Sequence, residues 1–355
     1  MNRPVVLIMA GGRGERFWPR SRERTPKQLR NVYSNKTLLE ETIIRARTIT
    51  DLSRIYIGCN ASLRKAILSS PSGNGFPEEN FVVEPQAKNT AAIIALASLQ
   101  IEKKYPGSVQ VVLSADHFIS PLDEFRNTIH KAIVAAESGR LVTLGIRPSR
   151  PETGYGYIES GDNMGTFIRI ASFVEKPDLP KALAFINSGR HYWNSGIFVW
   201  MGSVILAEFE KHAPEIITPI RSAAGGAKLK NAFSVIPSEP VDKAILEKSD
   251  NIVMVESTFT WDDVGSWLSL ERICPADSSG NIVVSQGART KVAARNASSN
   301  IVATSKRLVA MLGVKDIVLV DEDDVLFVST REGIGDIKGL IAEMREDPSL
   351  QKFLL

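Results

Sequence analysis

Short apolar runs alternating with helical patterns fill residues 1–150, and that alternation leaves few folds open. The runs are Val5–Ala10, Arg54–Cys59, Phe81–Glu84, Val109–Ser114 and Leu141–Ile146, with helical patterns near Thr37–Thr50, Leu63–Ser69, Thr90–Lys104 and Pro121–Ser138 between them. Each run suits a buried strand and is too short for a helix, and each connection can hold the crossover helix that parallel neighbours need. The expectation is an α/β fold with a doubly wound, mostly parallel sheet that presents ligands at the carboxyl ends of its strands. The last helix is the best marked. Leu122, Phe125, Ile129, Ile133 and Ala136 form one apolar face, Ser120 is the expected cap, Pro121 suits the first turn, Asp123 completes a capping-box pattern and Gly139 stops the helix.

From Tyr155 to Trp267 the rhythm loosens, as an insertion walling the ligand face would read, with strand-like Tyr157–Glu159, Phe167–Val174 and Gly196–Met201. A Ser/Gly/Asn-rich link at 277–281 precedes short strands Ile282–Ser285, Val309–Leu312, Ile317–Val320 and Val325–Val328. These patterns divide the chain into residues 1–270 and a small β domain over 281–355, and 355 residues at 43% hydrophobic content can bury both cores. The acidic run Asp321–Asp324 lies between apolar strands and reads as their turn.

A net charge of +3 argues against a general nucleic-acid or membrane binder. The charge is uneven: up to Lys36 there are nine Lys or Arg against Glu15 and Glu23, an excess suited to a small polyanion, although Arg20, Arg22 and Arg24 also read as solvated. Cys59 and Cys274 lack C-x-x-C spacing and the four histidines are scattered, so neither a disulfide framework nor a zinc site is indicated. With no leader-like segment and no apolar run near membrane-spanning length, the expected compartment is the cytoplasm.

The glycine-rich stretch Met9-Ala10-Gly11-Gly12-Arg13-Gly14-Glu15-Arg16 follows the first apolar run directly, where a strand ends and a turn opens. Gly11, Gly12 and Gly14 bring bare N–H groups up to phosphate oxygens, and Arg16 and Lys27, the latter in Thr25-Pro26-Lys27-Gln28-Leu29, add fixed charge. Neither a dinucleotide fingerprint, which would need glycine where Phe17 stands, nor a Walker A loop fits.

Four further segments carry chemistry-bearing residues. Ser114-Ala115-Asp116-His117 places Asp116 just past a strand end, a position suited to a Mg²⁺ ligand beside substrate phosphates. In Trp261-Asp262-Asp263-Val264-Gly265-Ser266-Trp267 the adjacent aspartates point opposite ways in an extended segment, so one of them can reach a shared site. Phe173-Val174-Glu175-Lys176-Pro177 ends a strand on an acid and a base, which alone reads as a surface ion pair. In Glu84-Pro85-Gln86-Ala87-Lys88-Asn89-Thr90, Asn89 or Thr90 reads as a helix cap.

In this order these motifs resemble the sugar-1-phosphate nucleotidyltransferases, whose loop reads G-G-x-G-x-R followed by P-K, and within them the mannose-1-phosphate guanylyltransferases. The resemblance runs from Val5 through Trp267. It implies a Rossmann-like catalytic domain that transfers GMP from GTP to mannose 1-phosphate with Mg²⁺ as cofactor. The W-x-D-x-G match makes Asp263 the second metal ligand beside Asp116, with Asp262 the fallback. Through E-K-P it implies that Glu175 binds sugar hydroxyls and Lys176 the sugar's phosphate, so that Arg16, Lys27 and Lys176 are the catalytic cations. Gly156 and Asn194, in Thr153–Tyr157 and Trp193–Gly196, match sugar-contact loops, while Gly11, Gly12, Gly14, Glu84, Asn89, Thr90 and Ser114 would hold the nucleotide against a guanine base. The tail resembles the family's short β-helix, an oligomer contact, so a homodimer is expected. One departure is Lys243 in Val241-Asp242-Lys243-Ala244, where the family often has tyrosine. Rival readings are a guanylyltransferase for another hexose or heptose 1-phosphate, or a non-catalytic sugar-nucleotide-binding regulatory subunit.

Overall fold

Val5, Val6, Leu7 and Ile8 have no exposed surface, which places Val5–Met9 (β1) in the middle of a sheet covered on both faces. The computed structural model describes residues 3–12, 14–223, 226–285, 291–305 and 307–355. Ile55–Asn60 (β2), Phe81–Glu84 (β3) and Val109–Ser114 (β4) join β1 in parallel. Helices Leu38–Ala46 (α1), Ala61–Leu68 (α2), Asn89–Lys104 (α3) and Leu122–Glu137 (α4) follow as the periodicity predicts. Phe118–Ser120 (β5) pairs outside the main sheet with Thr260–Asp262 (β11). Between them come Leu141–Ile146 (β6), Gly156–Asn163 (β7), Ile168–Glu175 (β8), His191–Met201 (β9) and Ile252–Glu256 (β10). The nine-stranded sheet runs β3-β2-β1-β4-β9-β6-β10-β8-β7.

The doubly wound α/β class stands, and the pairing refines it. Parallel ladders span β3-β2-β1-β4 and β6–β10, whereas β9 enters antiparallel between β4 and β6, and β7–β8 is an antiparallel hairpin at the edge. The insertion therefore completes the sheet as well as walling it. Two helix starts differ from expectation. Ser120 belongs to β5 and does not cap α4, whose N-cap is Pro121 with no side-chain bond. At α3 the cap is Lys88, because Asn89 takes a left-handed φ of 64° and Thr90 Oγ1 instead accepts the Val241 N–H at 2.8 Å. Among the described residues Asn89 Oδ1 accepts only the adjacent Thr90 N–H, at 2.9 Å, so neither side chain makes the N-cap bond that the cap pattern predicts.

The tail coils as parallel strands: Ile282–Ser285 (β12), Ile301–Thr304 (β14) and Ile317–Asp321 (β16) stack in one ladder, and Lys291–Arg295 (β13) and Leu308–Leu312 (β15) in another. Leu326–Thr330 (β17) closes the first ladder antiparallel. Asn300 links successive coils, its Nδ2–H donating to Asn281 Oδ1 at 2.9 Å and its Oδ1 accepting from Ile317 N–H at 3.1 Å.

This tail shares a core with the glycine-loop region. Phe17, Trp18, Val264 and Trp267 are buried with Ile301, Val318, Ile337 and Ile341. Two cations of the basic stretch serve the same contact. Arg20, 1% exposed, pairs with Glu322 at 2.7 Å, and Arg22 pairs with Asp324 at 2.8 Å, so the acidic turn of the tail neutralises cations that read as solvated in the sequence. Among the described residues no helix is long and apolar enough to cross a membrane.

Candidate active site

The ladder registers align four strand ends. Met9 lies opposite both Gly58 and Ser114, and Asn60 opposite Glu84, so the glycine loop, Glu84 and Asp116 emerge along one edge. The loop is fixed from below by Gln28, whose Nε2–H donates to Ala10 O and Gly12 O, both at 3.4 Å. Gly14 has φ 64°, and a Cβ there would collide with the Lys27 side chain, so the glycine serves Lys27 as well as the turn. Arg13 lies outside the described residues.

Lys27, 5% exposed, passes beside the Phe17 ring and donates to Asp116 Oδ2 at 2.9 Å and to the Asp263 carbonyl at 3.1 Å. Burial alone would raise the Asp116 carboxyl; the Lys27 ammonium and the neighbouring His117 outweigh it and hold the group below the usual carboxylate range. Asp263 Oδ1 accepts from Tyr155 O–H at 2.7 Å and from Gly265 N–H at 3.0 Å. Asp262 points the other way, 2% exposed, paired with Arg272 and accepting the Val264 N–H at 2.8 Å. Of the two neighbours, Asp263 shares the space of Lys27 and Asp116.

Three contiguous cavities meet at these groups. The first, of about 510 Å³, is lined by Gly14, Arg16, Lys27, Asp116, Asp263 and Lys338. A second is lined by Gly11, Gly12, Glu84, Asn89, Thr90 and Ser114. The third is lined by Thr90, Ser114, Gly156, Glu175, Asn194 and Asp242. Gly156 sits opposite Glu175 in the β7–β8 hairpin, and a Cβ on it would lie 2.6 Å from Glu175 Oε2, so the two motifs depend on each other. Lys176 takes a left-handed φ of 47° and donates to Glu175 Oε1 at 2.7 Å; of the sequence-predicted cations it alone lines none of the three cavities.

Within residues 5–279 the chain matches the family model described as nucleotidyl transferase, and within 291–344 that described as a mannose-phosphate isomerase/GMP-like β-helix domain. The Klebsiella pneumoniae mannose-1-phosphate guanylyltransferase is 35% identical over 97% of this chain and 74% of its own length. The Escherichia coli K12 enzyme of the same name is 35% identical over 96% and 73%. A Thermus thermophilus crystal structure, of a mannose-1-phosphate geranyltransferase, superposes with a TM-score of 0.89 at 31% identity, covering 97% of this chain and 99% of that one. The chain belongs to the nucleotidyl transferase family.

As a member of that family it holds three groups in the site that motif reading passed over. Asp242 accepts from Asn194 Nδ2–H at 2.8 Å, and burial, followed by the charge of Glu175, pushes its carboxyl up to about 6. His117 accepts the Trp261 Nε1–H on Nδ1 at 3.2 Å, so the neutral ring carries its proton on Nε2. Burial, working against the charges of Asp116 and Asp263, holds this imidazole below its ordinary value. Tyr155 packs edge-on against Trp193 and Trp261, and burial with the Asp263 charge raises its phenol, which stays a donor to that carboxylate. Signals existed for all three: His117 follows Asp116, Tyr155 lies inside the glycine pair, and Asp242 stands in the segment that departs at Lys243.

Proposed function

We propose that the chain transfers GMP from GTP to mannose 1-phosphate, releasing pyrophosphate. The observation that carries this reading is the continuity of the three cavities through Ser114, Asp116 and Asp263, which lets one groove hold a base, a sugar and a polyphosphate together. The incoming phosphate oxygen is already anionic, so the site needs no general base. It must hold two polyanions for in-line attack at the α-phosphorus, the new P–O bond forming as the bond to pyrophosphate breaks. Arg16 and Lys27 offset the repulsion, and Gly11, Gly12 and Gly14 supply N–H donors. Lys176 would leave Glu175 to hold the sugar's phosphate, freeing Glu175 for sugar hydroxyls, while the Asp242-held amide of Asn194 faces the same sugar.

Asp116 and Asp263 fit a Mg²⁺ ion: both are oxygen donors lining one cavity, and each has a carboxylate oxygen without a hydrogen bond among the described residues. Bound there, Mg²⁺ would neutralise charge on the triphosphate. The free thiols of Cys59 and Cys274 accord with a reducing cytoplasm. Exposed Leu308, Leu312, Leu326 and Val328 on the tail strands accord with a homodimer contact.

Glu84 supports guanine as the base. Its Oε2 is buried without a partner at the second cavity, and burial, only partly offset by the Lys88 N–H, pushes the carboxyl up to about 7. Guanine offers N1–H and N2–H₂ side by side, a match for one carboxylate, whereas adenine presents no such pair. The ionised form accepts both donors, so GTP binding favours loss of the Glu84 proton. The KM for GTP is therefore lowest above pH 7 and rises as pH falls through that value, approaching about tenfold per unit. In Glu84→Ala that slope disappears and GTP loses its advantage over ATP. The function itself is tested by pyrophosphate release from GTP across a panel of sugar 1-phosphates, with and without Mg²⁺. Turnover greatest with mannose 1-phosphate is expected; a heptose preference sinks mannose, and no turnover with any sugar sinks the enzyme reading.

A further inference from the structure

The tail helix Ile337–Glu346 brings a cation of its own to the phosphate cavity. Lys338 lines the same space as Arg16, Lys27, Asp116 and Asp263. The Lys27 ammonium is already engaged by Asp116, whereas Lys338 has no hydrogen bond or ion pair among the described residues. A lysine on a helix surface is ordinarily just solvated, and two features set this one apart. Its helix is fixed from behind, since Ile337 and Ile341 are 4% and 3% exposed in the core shared with Phe17 and Trp18. It is also fastened to the glycine loop, because Arg345 pairs with Glu15 at 2.6 Å and Glu15 is the neighbour of Arg16. Lys338 and Arg16 are thus two cations held on one cavity by mutually braced segments.

We infer that Lys338 binds the pyrophosphate moiety, the β- and γ-phosphates of the nucleotide before transfer and the leaving group after it, so that the tail completes the transferase site. Two aspartates in the cavity make the added cation useful: with Lys27 balanced by Asp116, the charge that develops on departing pyrophosphate needs groups not already neutralised. This inference rests on the proposed transfer reaction, which fixes what the cavity holds.

The test uses the full chain with Lys338→Ala and Lys338→Arg. Binding of magnesium pyrophosphate is measured by calorimetry, and the KM values for pyrophosphate and GDP-mannose are measured in the reverse reaction. In Lys338→Ala pyrophosphate binding weakens about tenfold, the KM for GDP-mannose is unchanged, and arginine restores the loss. Unchanged pyrophosphate affinity in Lys338→Ala overturns the inference. So does an equal loss for both ligands that arginine fails to restore, which would mark a packing role. A wild-type protein that binds magnesium pyrophosphate yet forms no GDP-mannose defeats the proposed function alone; calorimetric loss in Lys338→Ala still supports the Lys338 contact.

Discussion

Lys27→Ala lowers kcat on the order of 10²–10³ while the protein keeps its fold. The ammonium sits within hydrogen-bond reach of Asp116 and of the Asp263 carbonyl, at the junction of the glycine loop and the segment that supplies the second aspartate. Removing it takes a positive charge from where two polyanions must meet and leaves Asp116 without its main counter-charge. Breaking a deeply buried pair would be severe, but the Asp116 side chain is 33% exposed and can be hydrated from the cavity, so thermal unfolding shifts far less than activity. Lys27→Arg does not fully rescue, because a longer, planar fork of donors cannot set one compact ammonium between Asp116 Oδ2 and the Asp263 carbonyl. Steady-state kinetics and a melting curve on the same preparations check this. Near-normal kcat in Lys27→Ala would remove Lys27 from catalysis.

Much of this arrangement is legible in the sequence because its signals are local. A buried parallel strand is a continuous apolar run, so β1, β3, β4 and β6 can be read directly, and with them the edge at which Gly11, Glu84 and Asp116 emerge. What escapes depends on partners distant along the chain. The fate of Arg20 is decided by Glu322, and nothing near Arg20 marks it for burial. The antiparallel placement of β9 is set by register with β4 and β6, and its run His191–Met201 looks the same in either direction. In the tail, β13 escapes because Lys291–Arg295 is almost wholly exposed and shows no apolar alternation. β14 escapes because Ile301–Thr304 lies between polar residues, Ser298–Asn300 and Ser305, and its place is fixed by pairing with β12 and β16, distant along the chain. Lys338 carries no local signal either, since its meaning comes from a core formed between the tail and Phe17.

The two neighbouring aspartates give the sharpest separation of roles. Asp263→Asn keeps an oxygen to accept from Tyr155 O–H and Gly265 N–H, so the local turn survives and only the charge is lost. Its kcat falls on the order of 10²–10³, and the Mg²⁺ concentration needed for half-maximal rate rises, because a neutral amide oxygen is a poorer ligand for a hard cation than a carboxylate. Asp262 is engaged instead by Arg272 and the Val264 N–H, away from the cavity. Asp262→Ala strands that guanidinium and backbone donor, costing roughly 3 kcal/mol of stability, and leaves the Mg²⁺ requirement as it was. Titrating Mg²⁺ and melting both variants together distinguishes the roles with one pair of proteins. If Asp263→Asn retained the wild-type Mg²⁺ dependence while Asp262→Ala lost it at an intact fold, the metal would belong to Asp262. The side-chain directions in the structure would then not be those of the working enzyme.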